Sequence, residues 1–270
     1  MQFKEKVVVV TGASSGIGRA LAHEYASQGA SVVAAARSKD KLLSLEAELK
    51  SSAGKILVVV TDVSLEEDCK NLIDTTISHF GRIDVLINNA GISMRALFED
   101  LDLTVVRKLM DVNFWGTVYC SKYALPYLLE SHGSLVGVSS VAGYKGLPGR
   151  TGYSASKYAM QGFLEVVRTE NLKRGLHVLI ACPGFTSSNI RNTALAADGT
   201  QQGESPRDEN KMMSAEKAAE RIARAIKKRK RTLVLTTEGR LIVLINKVFP
   251  ATLERMIYNQ LAKEPDSPFK

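Results

Sequence analysis

Lys6-Val-Val-Val-Val10-Thr11-Gly-Ala-Ser-Ser-Gly-Ile-Gly18 reads as strand, glycine-rich turn and helix in immediate succession. The β-branched run has the continuous apolar character of a strand buried on both faces. After the turn, Ile17, Leu21, Ala22 and Tyr25 recur at helical spacing. Strand, glycines, helix is the context that a dinucleotide-phosphate site requires, because the helix start offers free N–H groups and a positive dipole end. In that reading Gly12 allows the tight turn, Gly16 lets the backbone approach a pyrophosphate, and Gly18 lets the helix pack closely on the strand. The spacing is Gly-x-x-x-Gly-x-Gly, not the commoner Gly-x-Gly-x-x-Gly, and a turn without any ligand is the alternative.

Outward from this stretch the same alternation continues. Apolar runs at 6–11, 31–36, 55–60, 83–87, 133–139 and 176–181 read as buried parallel strands, with a seventh at Thr232 to Leu235. The amphipathic stretches between them read as crossover helices. The expected fold is α/β: a single-domain, doubly wound parallel sheet over 1–270, Rossmann-like, with about seven strands and helices on both faces. Asp198 to Lys211 is polar, contains Gly199 and Gly203 and lacks periodicity, so it reads as a mobile lid within about 185–213. A helical extension is expected over about 237–264. There Leu241-Ile-Val-Leu-Ile-Asn-Lys-Val-Phe249 meets Pro250, which should end or kink a helix, and Leu253, Met256, Ile257 and Leu261 follow at helical spacing.

Composition excludes several classes. The three cysteines, Cys69, Cys120 and Cys182, are isolated, which argues for buried thiols in a reducing compartment rather than a disulfide frame or zinc site. His23, His79, His132 and His177 are scattered and read as surface or capping residues, so no metal site is expected. The first strand begins within about six residues, leaving no room for a signal sequence, and no apolar stretch approaches the roughly 20 residues of a membrane span. A cytoplasmic location is the expectation. The net charge of +8 is concentrated in Arg221 to Arg231, with Lys227-Lys-Arg-Lys-Arg231. Ala218, Ile222, Ala225 and Ile226 form an apolar stripe there, so the charge reads as the solvated face of a helix and not as a nucleic-acid site.

Among the eight tyrosines only Tyr153 is followed four residues later by a lysine, Lys157. On a helix these share a face. A free phenol titrates near 10, and a neighbouring ammonium favours phenolate, which makes proton exchange with an alcohol or carbonyl oxygen accessible. An exposed Tyr/Lys face is the alternative for the pair alone.

Taken together, these motifs resemble the short-chain dehydrogenase/reductase family over most of the chain. The resemblance also covers Asp62-Val63, Asn88-Asn-Ala-Gly91, Asn113 in Asp-Val-Asn-Phe-Trp-Gly116, Ser140 thirteen residues before Tyr153, and Pro183-Gly184, and it fades beyond Phe185. It implies a catalytic tetrad of Asn113, Ser140, Tyr153 and Lys157. Ser140 would polarise the substrate oxygen, Tyr153 would exchange the proton, and Lys157 would bind the nicotinamide ribose and hold the phenol's pKa low. Asn113 would hold a water linking Lys157 to solvent. It also implies cofactor contacts from Gly12, Ser14, Ser15, Gly16, Ile17, Gly18, Asp62, Val63, Asn88, Ala90, Gly91, Pro183, Gly184, Thr186 and Ser188. Ser139 should point to the opposite side of its strand from Ser140.

An acidic residue at the end of the second strand would select NAD by bonding the ribose 2′-hydroxyl. Here Ala36 occupies that position and Arg37 follows, a fork suited to a 2′-phosphate, with Lys39 or Lys41 adding a looser positive field. NADP(H) is the expected cofactor, and a solvent-facing arginine is the alternative. The expected function is hydride transfer between NADPH and a carbonyl or secondary alcohol on a small apolar molecule. Ser93, Met94, Leu97, Tyr144, Leu147 and Phe185 are the candidate pocket walls. A homo-oligomer, dimer or tetramer, is expected. The competing classes are a non-catalytic nucleotide-binding regulator on the same fold and a lipid-substrate reductase held peripherally at a membrane. For the C-terminal helices the favoured reading is a pocket cover or subunit interface. The alternative is membrane contact aided by Lys227 to Arg231.

Overall fold

The computed structural model describes residues 3–184, 186, 190–203, 212–263 and 267 of the 270. Seven parallel strands form one sheet in the order β3-β2-β1-β4-β5-β6-β7: β1 (Val7–Thr11), β2 (Ser31–Ala36), β3 (Ile56–Val60), β4 (Val85–Asn88), β5 (Ser134–Val138), β6 (His177–Cys182) and β7 (Thr232–Val234). Strand order reverses between β1 and β4, so their carboxyl ends diverge into the crevice where ligands bind on such sheets.

The two-residue period of each strand feeds two cores. Val8 and Val10 pack on one face with α1 (Gly16–Ser27), α2 (Lys39–Leu49) and α7 (Ala215–Lys227), which contribute Leu21, Tyr25, Leu42, Leu45 and Ile222. Val7 and Val9 pack on the other with α3 (Glu66–Phe80), α5 (Gly116–Glu130) and α6 (Thr151–Glu170), through Leu72, Ile73, Leu128, Met160 and Leu164. The stripe Ala218, Ile222, Ala225 and Ile226 is buried against the first core, which leaves the basic residues of α7 outside it. At the amino end of the sheet, Asp84 accepts from Lys6 Nζ at 2.8 Å, Val7 N at 3.0 Å and Arg82 at 2.7 and 2.9 Å, tying β4 to β1.

Helix α4 (Leu103–Met110) runs into a π-helical segment, Asp111–Trp115, before α5 begins. After β7 come α8 (Thr237–Val248) and α9 (Pro250–Leu261), with Pro250 at the first helical position after the break at Phe249.

Several expectations need correction. His177 is not at the surface: it is buried in β6, with Nδ1 2.9 Å from Ser134 Oγ and Nε2 2.8 Å from Lys230 O, and burial lowers its pKa. The described part of the expected lid is hydrogen-bonded to the body of the domain. Leu195 N donates to Ser93 O and Arg95 N to Leu195 O, each at 2.9 Å, while Asp198 caps the turn through Thr200 N, also at 2.9 Å. Leu195 and Ala197 pack on a third cluster with Met94, Val105, Leu109 and Tyr153. Residues 185, 187–189 and 204–211 of that expected lid lie outside the described residues.

Candidate active site

The turn after β1 is shaped for close backbone approach. Gly12 (φ +67°) and Gly16 (φ +52°) hold left-handed conformations that L side chains rarely adopt. A Cβ on Gly18 would collide with the backbone carbonyl of Gly12, so that helix–turn contact admits only glycine. Ser15 occupies the N-cap position of α1 without a side-chain cap bond, and the first turn carries no acid. The N–H groups of this helix end are therefore left for an anion. Ser15 is exposed, Ser14 half-buried, and Ile17 packs partly against the first core.

Asn89 locks the turn from the neighbouring strand, and the motif reading of Asn88 to Gly91 missed its part. Its Nδ2 donates to Thr11 O at 2.9 Å, and the N–H groups of Asn89 and Ala90 both donate to Thr11 Oγ1 at 3.0 Å. Only the pairing of β1 with β4 brings these residues together. Asn88 is buried, with Nδ2 3.2 Å from Ser121 Oγ and an Oδ1 that has no hydrogen-bond partner among the described residues.

At the end of β2, the Arg37 side chain is 64% exposed and its guanidinium stands 3.9 Å from Asp62, a loose pair. Asp62 accepts from Ser64 N and Oγ, at 3.0 and 2.7 Å. The Val63 side chain is buried against Gly116, and its carbonyl accepts from Cys69 Sγ at 3.4 Å.

Across the crevice, Ser140 ends the β5 segment with extended backbone and caps the short 3-10 turn Val141–Gly143. Its Oγ accepts from Ala142 N at 3.1 Å, which leaves the hydroxyl proton to donate elsewhere. Tyr153 and Lys157 lie one turn apart on α6, with Lys157 Nζ 5.8 Å from the phenol ring centroid. Lys157 is buried and donates to Val138 O at 2.9 Å; burial lowers its pKa to about 8, with the nearby Cys182 thiol opposing. The phenol behaves differently from the expectation. Burial raises the Tyr153 pKa, while the Ser140 hydroxyl and the charges of Arg150 and Arg191 pull against that rise. Arg150 donates to Met94 O, and Arg191 to Thr186 O at 2.8 Å.

Asn113 sits in the π-helical segment, not in a regular helix, and its side-chain amide is committed. Oδ1 accepts from Ile92 N at 2.8 Å, while Nδ2 donates to Ile92 O at 3.0 Å and Ser156 Oγ at 2.9 Å. A Cβ on Gly91 would lie 3.1 Å from Asn113 Oδ1 and 3.4 Å from Lys157 Nζ, so these three meet at one point. Ser139 is buried and accepts from Gln161 Nε2 at 2.9 Å. Tyr144 is not a pocket wall: it packs on the core of α3, α5 and α6, and interacts there with Thr232 and Cys182. Pro183 is buried, and Gly184 lies against Thr236, the N-cap of α8. The Thr186 hydroxyl is buried and turned to Gly184 O at 3.4 Å. Ser188 and Phe185 lie outside the described residues. Ser93 and Met94 are buried, Met94 in the cluster on which Tyr153 packs, and Leu97 and Leu147 are partly buried.

Comparison with known proteins agrees with this geometry. A family profile described as short chain dehydrogenase matches residues 6–199. The chain is 44% identical over 188 residues to 11-beta-hydroxysteroid dehydrogenase 1A of Arabidopsis thaliana, which is 68% of this chain; it spans only about half (53%) of that relative's length. A dehydrogenase/reductase SDR family protein 7-like of Dictyostelium discoideum is 34% identical over 259 residues, covering 93% of this chain and 80% of the relative. The fold matches that of a short chain dehydrogenase/reductase from Burkholderia phymatum solved in complex with NAD, with TM-score 0.82, 23% identity and coverage of 92% and 94%. An alcohol dehydrogenase from Thermococcus sibiricus, complexed with 5-hydroxy-NADP, gives TM-score 0.75 at 24% identity over 85% of this chain and 95% of that one. With its parallel sheet, glycine turn and Ser140–Tyr153–Lys157 cluster, the chain belongs to the short-chain dehydrogenase/reductase family of oxidoreductases.

Proposed function

We propose that the chain is an NADPH-dependent oxidoreductase acting on a carbonyl or secondary-alcohol group of an apolar substrate. The observation that carries this is the convergence of Ser140, Tyr153 and Lys157 beside the crevice walled by the Gly12–Gly18 turn. That turn fits a dinucleotide: its glycines leave no Cβ in the way, and the α1 start is uncapped and free of acids. The bound cofactor supplies the hydride donor or acceptor.

The rest is the work of this chain. Gly12 to Gly18 hold the pyrophosphate on backbone N–H groups. Arg37, next to Ala36 instead of an acid, takes the 2′-phosphate, with Ser14 and Ser15 as hydroxyl donors and Asp62 and the Val63 backbone at the adenine. The neighbourhood of Asn88, Ala90 and Gly91 supports the centre of the crevice. The Pro183–Thr186 backbone meets the nicotinamide amide. Ser140, its oxygen already accepting from Ala142 N, donates its proton to the substrate oxygen. Tyr153, kept neutral by burial, donates to the alkoxide in reduction; in oxidation Lys157, Arg150 and Arg191 favour the phenolate that accepts the proton. Because the Asn113 amide is committed to Ile92 and Ser156, a water joining Lys157 to solvent would share the Asn113 backbone carbonyl with Thr117 Oγ1, which donates to it at 3.0 Å. Leu97 and Leu147, both only partly buried, offer apolar surface to the substrate, while Met94 lies fully buried in the core. The exposed Trp115, Tyr158 and Val166, on the π segment and α6, supply apolar area for pairing two copies.

Tyr153→Phe keeps the ring and removes the acid. Turnover of ketones with NADPH is expected to fall at least about a hundredfold, with the cofactor dissociation constant unchanged. A variant that turns over at the wild-type rate would end the assignment.

A further inference from the structure

Helix α8 is apolar on both sides. Its inner side carries buried Gly239, half-buried Ile242, Val243 and Ile245, and Asn246, whose amide donates to Tyr144 O at 2.9 Å. Its outer side exposes Leu241 (54%), Leu244 (60%) and Val248 (60%), and Phe249 follows at the corner with α9 (63%). Turning roughly 100° per residue, Lys247, Arg240, Leu244, Val248 and Leu241 fall in that order across roughly a third of the helix circumference. Both basic residues are exposed, and no acid lies within that arc. On α9, Met256 is exposed as well, while Leu253 and Ile257 are buried and the Lys145–Glu254 pair at 2.6 Å anchors the helix to the loop before α6.

We infer that the α8 ridge with Phe249 docks the protein peripherally on an anionic lipid surface. An apolar strip bordered by lysine and arginine is the pattern of a helix lying in a bilayer interface, with aliphatic groups in the acyl boundary and cations among the headgroups. Charge argues against a second copy as the occupant. Antiparallel two-fold pairing of α8 about Leu244 sets Arg240 of one copy beside Lys247 of the other, so like charges meet along that edge. Among the described residues no helix is long and apolar enough to cross a membrane, so the contact is peripheral. The basic run Lys227 to Arg231 takes no part: it precedes β7 at the amino end of the sheet, where Arg229 donates to His132 O and Gly175 O, whereas α8 starts at the carboxyl end.

The test is co-sedimentation of the full chain with vesicles of phosphatidylcholine plus phosphatidylglycerol and of phosphatidylcholine alone, at low and high salt. Binding to the mixed vesicles, weakened by salt, is expected. Arg240→Gln with Lys247→Gln should weaken it about twenty-fivefold, from about fivefold per basic residue near an anionic surface. Leu244→Glu with Val248→Glu should abolish it, with folding checked by circular dichroism. Failure of the native chain to sediment with anionic vesicles at low salt overturns the inference. So does conversion of a native dimer to monomer by the Leu244/Val248 pair, which would make the ridge a subunit interface.

Discussion

At the scale of single residues, the cofactor preference turns on two side chains at the end of β2. Arg37 is largely exposed and among the described residues its one ion pair is with Asp62 at 3.9 Å, so little holds it away from a 2′-phosphate. Charge-assisted hydrogen bonds contribute about 1.5–3 kcal/mol each, and solvent exposure places this one near the lower end. Arg37→Ala should therefore raise the NADPH dissociation constant about tenfold and leave NADH nearly unchanged. Ala36→Asp puts a carboxylate where the ribose 2′-oxygen is expected and should move the preference towards NADH. Fluorescence titration of both cofactors checks each variant, and tighter NADH binding by the native protein would overturn the assignment. Val63 shows the limit of reasoning from single residues: its side chain serves the core against Gly116, and its carbonyl takes the Cys69 thiol.

At the scale of elements, α6 is the organising helix, because one face carries Tyr153, Lys157 and Gln161 at successive turns. Gln161 Nε2 donates to Ser139 Oγ at 2.9 Å and reaches Ser140 O at 3.4 Å, so it sets the strand end from which the Ser140 hydroxyl projects. Gln161→Leu should lower kcat about tenfold with KM little changed, because Ser140 acts on charge that develops in the transition state. Steady-state kinetics with NADPH reads this directly, and an unchanged kcat refutes the positioning role. The strands and their crossovers were legible in the sequence because β-branched runs such as Val7 to Val10 and Leu57 to Val60 carry their own signal. The Tyr153/Lys157 face was legible because a helical period needs no knowledge of distant residues. The π-helical segment was not, since it rests on Asn113 capturing the Ile92 backbone 21 residues away. Nor were the buried place of His177, the inward turn of Tyr144 or the role of Asn89, all of which depend on partners that only the folded sheet supplies.

At the scale of the whole molecule, the candidate site is bought with stability. The Lys157 ammonium is held in a core that lowers its pKa from 10.5 to about 8, chiefly by burial. A downward shift of that size corresponds to about 3 kcal/mol of destabilisation at neutral pH, at 1.36 kcal/mol per pKa unit. The sign follows from proton counting. Between about pH 8 and 10.5 the unfolded chain holds this proton more tightly than the folded one, so folding stability from this group rises with pH across that window. Below about pH 8 both states are charged and the full cost is present. Lys157→Met keeps an apolar stem of similar length without the buried charge. In the cofactor-free protein it should raise the unfolding free energy at pH 7 by up to about 3 kcal/mol, with a smaller advantage at about pH 9.5, where the native lysine is already mostly neutral when folded. The same variant should lose turnover and bind NADPH more weakly. Denaturant unfolding at the two pH values, with the cofactor removed, measures the difference. A variant less stable than the native protein at neutral pH would show that the bond from Lys157 Nζ to Val138 O outweighs the desolvation of the charge.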